Sequence, residues 1–432
     1  MFNPRQLLFL ILLIISIIGP GITETNAAGL TQAEQLSLSR SSQDTQTLPE
    51  IFSENELLVT LKAGAPQSAV SSGLNAYGAT IEQVLDENVV KIKVAPGMLE
   101  PIKNALSKNP DISRVDYNHT MKANFVPTDI LYSWQWHLPD IQAPAAWDIT
   151  RGDPQIIIAV LDSGVDSTHP NLGGGKVING YNFVNNTPDA TTDLFGHGTM
   201  IAGIAAAPAG VGGVVGVCPD CSIMSVVVAD KKGLSNDFDL ARGIRYAADH
   251  GAKIINISYG GGANIPVLHD AVNYAWSKGA VIVASAGNAS SSSLSYPAAY
   301  VNVIAVSAID QDNKPANFTD YGTWIDVSAP GVGIITTGLH GKYASGSGTS
   351  FSAAIIAGLA GLIYSANPNL TNTQVVNMIT NYADNMGTAG FDDYYGFGKV
   401  NLQKALTEAV EAGKLNSITK GVSYKRLNKK VL

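Results

Sequence analysis

The stretch that most constrains the fold is SGSGTSFSAAIIAGLAGLIY, from Ser345 to Tyr364. From Phe351 onward its residues are small or apolar, and Ser352 is the only polar residue before Tyr364. A helix without a polar face must be buried in a core or a membrane, and this one is too short and too rich in glycine and serine to span a bilayer. The sequence therefore predicts a buried helix in a large core, which 45% hydrophobic and 14% charged residues in a chain of 432 allow. At about 150 residues per domain, the length suggests two or three units.

The start of this helix carries hydroxyl groups set among glycines. A buried helix N-terminus leaves N–H groups without partners in a dry place. Ser350 can therefore be a helix cap or a nucleophile. The cap is the commoner role of a single serine, so the rest of the chain has to decide between the two.

The segment 1–28 has the pattern of a signal peptide. Arg5 precedes an apolar run from Leu7 to Ile18, and alanines at 27 and 28 suit a cleavage site. The run is shorter than the ~20 residues of a membrane span, so an uncleaved anchor is the less favoured alternative. We expect a secreted protein, extracellular or periplasmic, with no membrane span after processing. A net charge of −8 and a pI of about 5.3 argue against a nucleic-acid partner.

The two cysteines, Cys218 and Cys221, lie in the sequence VCPDCS. Two thiols alone make an incomplete zinc site, and no thioredoxin-like unit accompanies the motif. A small structural disulfide is the preferred interpretation for a protein in an oxidising compartment.

Elements in the N-terminal part follow the order β-α-β-β-α-β. A polar linker at 29–53 leads into 54–123, where predicted strands and helices alternate in the split βαβ pattern. A second unit, 124–408, alternates apolar strands with helices, which indicates a parallel sheet covered on both faces. A basic tail, 409–432, follows. In such sheets, ligands bind beyond the carboxyl ends of the strands.

Three polar residues follow or flank these strands. Asp162 comes directly after IIIAVL, and Asn288 follows AVIVASAG; His197 opens a helix between two glycines. Each has an ordinary alternative: a turn aspartate, a turn asparagine, or a structural histidine. His169 is interpreted as a structural histidine.

Together with Ser350, these residues match the chemistry of nucleophilic catalysis. A serine hydroxyl needs a base to take its proton, histidine has a suitable pKa, and a buried carboxylate fixes the imidazole. An amide donor stabilises a developing oxyanion. The chain order Asp, His, Ser is that of subtilisin, a known example of this constellation. The combination favours the nucleophile over the cap for Ser350.

The chain resembles the subtilisin-like serine proteases, and the segment QWHLPDIQAPAAWDITRG at the start of the second unit resembles their thermitase-like branch. The matching motifs, over about 135 to 405, are VLDSGVDSTHPNL, GHGTMIAGIAA, NISYGG, SAGN, YPAAY, VSAPG, SGSGTSFSAA and YGFGKVN. The resemblance implies an α/β fold of three layers, a parallel sheet flanked by helices, preceded by a small α+β, ferredoxin-like propeptide domain. It assigns Asp162 as orienting carboxylate, His197 as general base, Ser350 as nucleophile and Asn288 as oxyanion donor.

The resemblance also implies substrates and processing. Residues Ser258, Tyr259 and Gly260 resemble the edge strand that pairs with an extended protein or peptide substrate. The propeptide would be an intramolecular inhibitor of a self-processing zymogen, released by cleavage between about 118 and 127. A monomer is expected. The segment after Asn288 carries no acidic residue, so we expect an apolar or aromatic P1 preference.

Two departures from the family pattern matter. Ala354 and Ile355 replace the usual Pro-His, which leads to the hypothesis of weaker peptide hydrolysis or of acyl transfer to amines. Asn171 stands where a calcium-binding aspartate is common, and the loop Pro208–Val214 lacks the usual asparagine ligand. Backbone carbonyls remain, so weak calcium binding is possible, but no essential metal or cofactor is expected.

Two alternatives to a hydrolase stay open. One is an acyl-transferring, ligase-like enzyme on the same scaffold, and the other is a catalytically silent protein that binds peptides in the groove. The presence of all four catalytic residue types argues against a silent site.

Overall fold

The computed structural model describes residues 52–66, 68–74, 79–119 and 125–416. The described residues fall into two compact units, 52–119 and 125–416. The predicted signal peptide, most of the linker and the end of the basic tail lie outside them.

The smaller unit is a four-stranded antiparallel sheet with two helices. Its strand order is β2-β3-β1-β4, so the two strands that each precede a helix lie in the middle of the sheet. Leu57, Val59, Val90 and Ile92 point to the same core, as the alternation of a half-buried strand requires. The order of elements matches the predicted split βαβ pattern, although β1 begins inside the predicted linker. The elements are β1 (Phe52–Leu61), α1 (Ser68–Leu74), β2 (Thr80–Val84), β3 (Val89–Lys93), α2 (Leu99–Leu106) and β4 (Ile112–His119).

The larger unit is built on a seven-stranded parallel sheet of order β11-β10-β9-β8-β5-β7-β6. Its strands are β5 (Ile157–Asp162), β6 (Val177–Asn182), β7 (Ser222–Val227), β8 (Ile254–Ile257), β9 (Val281–Ser285), β10 (Val303–Ile309) and β11 (Val327–Pro330), and a separate hairpin pairs β12 (Ile334–Thr337) with β13 (Tyr343–Gly346). Its helices are α3 (His137–Asp140), α4 (Ala143–Trp147), α5 (His197–Ala206), α6 (Asp237–Asp249), α7 (Pro266–Ser277), α8 (Thr349–Ala366), α9 (Asn372–Asn381) and α10 (Leu402–Asn416).

Both faces of this sheet are covered. In β5, Ile158 and Val160 belong to the core cluster that includes α5 and α8, whereas Ala159 and Leu161 belong to the cluster that includes α6 and α7. Successive side chains of a strand point to opposite faces, so a strand buried on both sides is apolar throughout. The predicted three-layer α/β architecture is therefore confirmed.

Helix α8 is the buried helix that its sequence requires. Every residue from Thr349 to Tyr364 is buried. Contrary to the sequence expectation, this helix has the length and composition of a membrane span, and it is the one helix among the described residues that does; its burial by the surrounding elements makes it a core helix. Its glycines allow close packing: a Cβ on Gly358 would lie 2.6 Å from the Val217 Cβ, and one on Gly361 would lie 2.9 Å from the Cys221 Sγ. Small residues on every side therefore let neighbouring elements approach the helix closely.

Two further sequence expectations, on the cysteines and on the basic tail, concern this unit. Cys218 and Cys221 form the predicted disulfide, with an S–S distance of 2.00 Å. The predicted start of the basic tail, after residue 408, lies inside α10, because Ala409 and Ala412 pack into the core and the helix continues to Asn416.

Candidate active site

Asp162 is the last residue of β5 and is completely buried. Its Oδ1 accepts a hydrogen bond from the Ser163 backbone N–H at 2.8 Å. Both carboxylate oxygens lie 2.9 Å from the His197 Nδ1. A buried carboxylate is costly unless it has such partners, and the Ser163 N–H and the His197 imidazole supply them.

His197 is the first residue of α5, and the glycines on both sides of it have separate functions. Gly196 caps the helix with a φ of 98°, in the left-handed region that favours glycine. Gly198 allows the helix to approach β5, because a Cβ there would lie 2.1 Å from the Gly164 carbonyl oxygen. Together they place the imidazole against Asp162.

The pKa of His197 is moved in two directions. Burial lowers the pKa of the imidazole, whereas the charge of Asp162 and its hydrogen bond raise it, and the net pKa lies above 6.5. A side chain that is only 14% exposed and paired with a buried carboxylate is therefore held ready to accept a proton.

Asp193 binds the backbone on either side of His197 and was not identified from the sequence. The carboxylate accepts hydrogen bonds from the Ser163 hydroxyl at 2.9 Å and from the Gly196 N–H at 2.7 Å. It also accepts one from the Thr199 N–H at 3.0 Å. This buried carboxylate thus fixes the turn that leads into α5. Its sequence context, TTDLFG, gives no signal beyond that of a turn.

Ser350 is the second residue of α8, so it is not the helix cap. The cap position is Gly348, and no side chain of that residue can cap the helix. The Ser350 hydroxyl donates to the Ser258 carbonyl at 3.5 Å. The neighbouring Phe351 ring lies edge-on to the His197 imidazole, with centroids 6.3 Å apart.

The hydrogen bonds of the described residues do not include one between Ser350 and His197. Catalytic hydrogen bonds are commonly long or poorly aligned without substrate and become shorter in the complex. The contact with the Ser258 carbonyl, at 3.5 Å, is longer than the about 2.5–3.0 Å of ordinary O–H···O hydrogen bonds, so it holds the hydroxyl only weakly.

Asn288 lies beside the start of α8, where its orientation is fixed. Its Oδ1 accepts from the Thr349 backbone N–H at 2.9 Å and from the Thr349 hydroxyl at 3.0 Å. A backbone N–H can only donate, so the oxygen of the amide must face Thr349. The amide nitrogen is left to donate elsewhere, and it lies near Gly348.

Residues 258–260 follow β8, whose neighbour β5 carries Asp162. Ser258 is buried, and Gly260 is exposed, as a backbone that pairs with substrate would be. The Tyr259 hydroxyl donates to the Asp162 Oδ1 at 3.2 Å.

The loop after Asn288 is held by an acidic residue from a distant segment, Asp320. Its Oδ1 accepts from the N–H groups of Ala289 and Ser291, each at 2.9 Å. Burial raises the pKa of Asp320, and these hydrogen bonds lower it to a smaller extent. The sequence of the loop gives no indication of this contact.

The loop 208–214 has donors where a bound calcium ion would need acceptors. The Asn171 amide donates to the Val214 carbonyl at 3.0 Å and to the Pro208 carbonyl at 3.5 Å. The Asp129 carboxylate accepts from the N–H groups of Gly210 and Gly212, at 2.7 and 3.1 Å. Calcium requires six to eight oxygen ligands, and within the described ranges no cluster of three acidic, histidine or cysteine side chains could hold a metal. These residues do not fit a calcium ion.

The chain is similar to known proteins in both sequence and structure. Residues 153–398 match the model of the Subtilase family. A thermophilic serine proteinase of Bacillus sp. (strain AK1) is 40% identical over 82% of this chain and 88% of the relative. Thermitase of Thermoactinomyces vulgaris is 44% identical over 65% of this chain and 99% of the relative. The structure of Sphericase superposes with a TM-score of 0.55 at 35% identity, covering 58% of this chain and 93% of Sphericase.

Proposed function

Because the chain belongs to the subtilase family and is a serine endopeptidase, we propose that Asp162, His197 and Ser350 form its catalytic triad and that Asn288 stabilises the oxyanion. The observation that carries the assignment is the pairing of a completely buried Asp162 with the His197 Nδ1 at 2.9 Å. Ser350 and Asn288 lie close to each other at the N-terminus of α8, and the ring of the next residue, Phe351, lies edge-on to the His197 imidazole.

Each residue has one task in the reaction. His197 Nε2 takes the proton of Ser350 as Oγ attacks the carbonyl carbon of the substrate, and the electron pair of the C=O bond moves to the oxygen. That oxyanion accepts a hydrogen bond from the Asn288 Nδ2–H and lies near the positive end of the α8 dipole. The protonated imidazole then gives its proton to the leaving amine as the C–N bond breaks. Water releases the acyl group by the same steps.

The substrate is an extended segment of a protein. Residues 258–260 would pair with its backbone by adding a strand, which gives affinity without selecting a sequence. We propose an apolar or aromatic P1 preference, because no acidic residue lies in 289–295 and because the Asp320 carboxylate is engaged by backbone N–H groups.

We also propose that the protein is secreted as a zymogen. The segment 1–28 supports export, and 54–123 would inhibit the catalytic domain 124–408 as its own propeptide before self-cleavage. The mature enzyme is proposed to be a monomer that needs no metal, since the residues around loop 208–214 do not fit calcium.

The experiment compares the wild type with Ser350→Ala by peptide hydrolysis and by N-terminal sequencing of the purified proteins. The wild type should hydrolyse peptides and begin between about residues 118 and 127, whereas Ser350→Ala should do neither. Ser350→Thr is the matched control, because it changes the side chain at position 350 but keeps a hydroxyl there.

Two results would overturn the proposal. Equal hydrolysis by Ser350→Ala would remove Ser350 from the reaction. Tight peptide binding by a wild type that hydrolyses nothing would favour the catalytically silent alternative.

A further inference from the structure

Tyr259 contributes its side chain, as well as its backbone, to the candidate site. Its hydroxyl lies 3.2 Å from the Asp162 Oδ1, and its ring lies edge-on to the His197 imidazole with centroids 6.2 Å apart. An ionised carboxylate can only accept, so the phenol is the donor. We propose that Tyr259 is a positioning residue, whose hydroxyl holds the Asp162 carboxylate and limits the charge that it offers to His197. This inference rests on the proposed roles of Asp162 and His197.

The two carboxylate oxygens of Asp162 have different numbers of hydrogen-bond partners. Oδ1 faces the Ser163 N–H at 2.8 Å, the Tyr259 hydroxyl at 3.2 Å and the His197 Nδ1 at 2.9 Å. Within the part of the chain that the structure describes, Oδ2 faces only the His197 Nδ1, also at 2.9 Å. With two other donors on Oδ1, the imidazole N–H is attracted chiefly to Oδ2, and the carboxylate cannot rotate without breaking a bond.

Bulk water does not reach the Asp162 carboxylate. Asp162 has no exposed surface, so a lost donor leaves the carboxylate with fewer partners in a dry place. A less satisfied carboxylate attracts the imidazolium more strongly, which raises the pKa of His197.

The Tyr259 hydroxyl keeps its proton, and so remains a donor, at neutral pH. Burial raises the pKa of Tyr259, and the charge of Asp162 raises it further. The other charged groups near this pair are Asp193 and Asp230. Both accept hydrogen bonds from backbone N–H groups, at Gly196 and Leu234 respectively, so removing the tyrosine hydroxyl does not alter them directly.

The test is Tyr259→Phe, which removes the hydroxyl and keeps the ring. Rates are measured per active site, after titration of the active sites. The acid limb of kcat/KM should move up by about 0.5 pH unit, and kcat should fall about threefold because the imidazole is less well held. KM should stay within about twofold, since the backbone of 258–260 is unchanged.

Tyr274→Phe is the matched control. Its hydroxyl donates to the Asp249 Oδ1 at 2.6 Å on the surface, so the same atom is lost from a tyrosine–aspartate pair away from the site. This variant should leave the acid limb, kcat and KM unchanged.

A second measurement needs no turnover. In full-length Ser350→Ala protein, the NMR signal of the His197 Nδ1 proton is followed against pH with and without Tyr259→Phe, and the midpoint should rise with the substitution. Unchanged midpoints and an unchanged acid limb would overturn the proposal, and so would a change in KM alone. An inactive wild type would instead contradict the proposed function, while the NMR comparison would still decide whether Tyr259 positions Asp162.

Discussion

At the scale of single residues, the charge of Asp162 raises the pKa of His197, the proposed general base. A general base works only in its neutral form, and the pKa of His197 is raised above 6.5 by Asp162 despite the opposing effect of burial. As pH falls through that pKa, the imidazole takes a proton and kcat/KM is lost. We therefore expect the acid limb to have its midpoint above pH 6.5. A pH profile of kcat/KM with a small peptide substrate measures it, and a midpoint well below 6 would contradict the pairing.

His137 is a second buried histidine, with an effect on stability. Its side chain is completely buried, both ring nitrogens lack hydrogen-bond partners among the described residues, and burial lowers its pKa to about 3. The unfolded chain takes up a proton near pH 6.5 and the folded chain does not. The free energy of unfolding should therefore fall as pH falls below 6.5, by about 3 kcal/mol at pH 4.5 from this residue alone.

The measurement is denaturant unfolding of the Ser350→Ala protein between pH 7 and 4.5, which avoids self-digestion. His137→Leu should flatten the pH dependence, whereas His250→Gln, at an exposed histidine, should leave it as it is. An identical pH dependence with and without His137 would show that this residue takes up its proton in the folded state.

At the scale of elements, α8 runs without interruption through Ala354. The residue is completely buried in a helix that is continuous from Thr349 to Ala366. In an α-helix, the N–H at 354 lies where it can bond to the Ser350 carbonyl, a bond that proline removes. The identity of residue 354 therefore bears directly on the backbone of the proposed nucleophile.

We expect Ala354→Pro to raise peptide hydrolysis about threefold and to lower the ratio of aminolysis to hydrolysis. A peptide ester with an added amine measures that ratio. Ala354→Ser is the control, because it keeps the N–H while adding an atom. An unchanged product ratio in Ala354→Pro would refute the hypothesis of acyl transfer.

The loop 208–214 is the second element with a testable consequence. Asn171 places an amide donor against two carbonyls of this loop, and its Oδ1 accepts from the Tyr343 hydroxyl at 2.6 Å. These bonds occupy the acceptors that a cation would need. We therefore expect the Tm of the wild type to differ by less than ~2 °C between calcium and a chelator.

Asn171→Asp should reverse this behaviour. The carboxylate would face the same carbonyls without a donor, so the variant should lose stability and regain part of it in calcium. Asn369→Asp, at an exposed asparagine, should show neither effect. A wild type whose Tm falls steeply in chelator would show that calcium binds after all.

At the scale of the whole molecule, the sequence predicts the architecture better than it predicts the contacts of the site. Apolar runs such as IIIAVL give the strands, because a strand covered on both faces is apolar throughout. Asp162, His197, Asn288 and Ser350 are identifiable because each lies at the end of a regular element. The structure pairs Asp162 with His197 and places Asn288 against Thr349, the residue before Ser350.

Other contacts depend on tertiary structure that no local pattern encodes. Asp193, Asp320 and the Tyr259 hydroxyl bind groups between 30 and 97 positions away in the chain. Their local sequences are those of ordinary turns or of a strand end. The continuation of α10 from residue 409 to Asn416 was also missed, because the segment 409–432 was interpreted from its basic residues, whereas Ala409 and Ala412 keep the helical spacing that packs them into the core.

The central claim is that His197 activates Ser350 beside a buried Asp162. The most direct measurement is labelling with a serine-directed phosphonate, followed by peptide mapping by mass spectrometry, on the wild type, His197→Ala and Ser350→Ala. We predict one phosphonate on Ser350 in the wild type, labelling slower by about 10³ or more in His197→Ala, and none in Ser350→Ala. Labelling of another residue, or an equal rate without His197, would contradict the account.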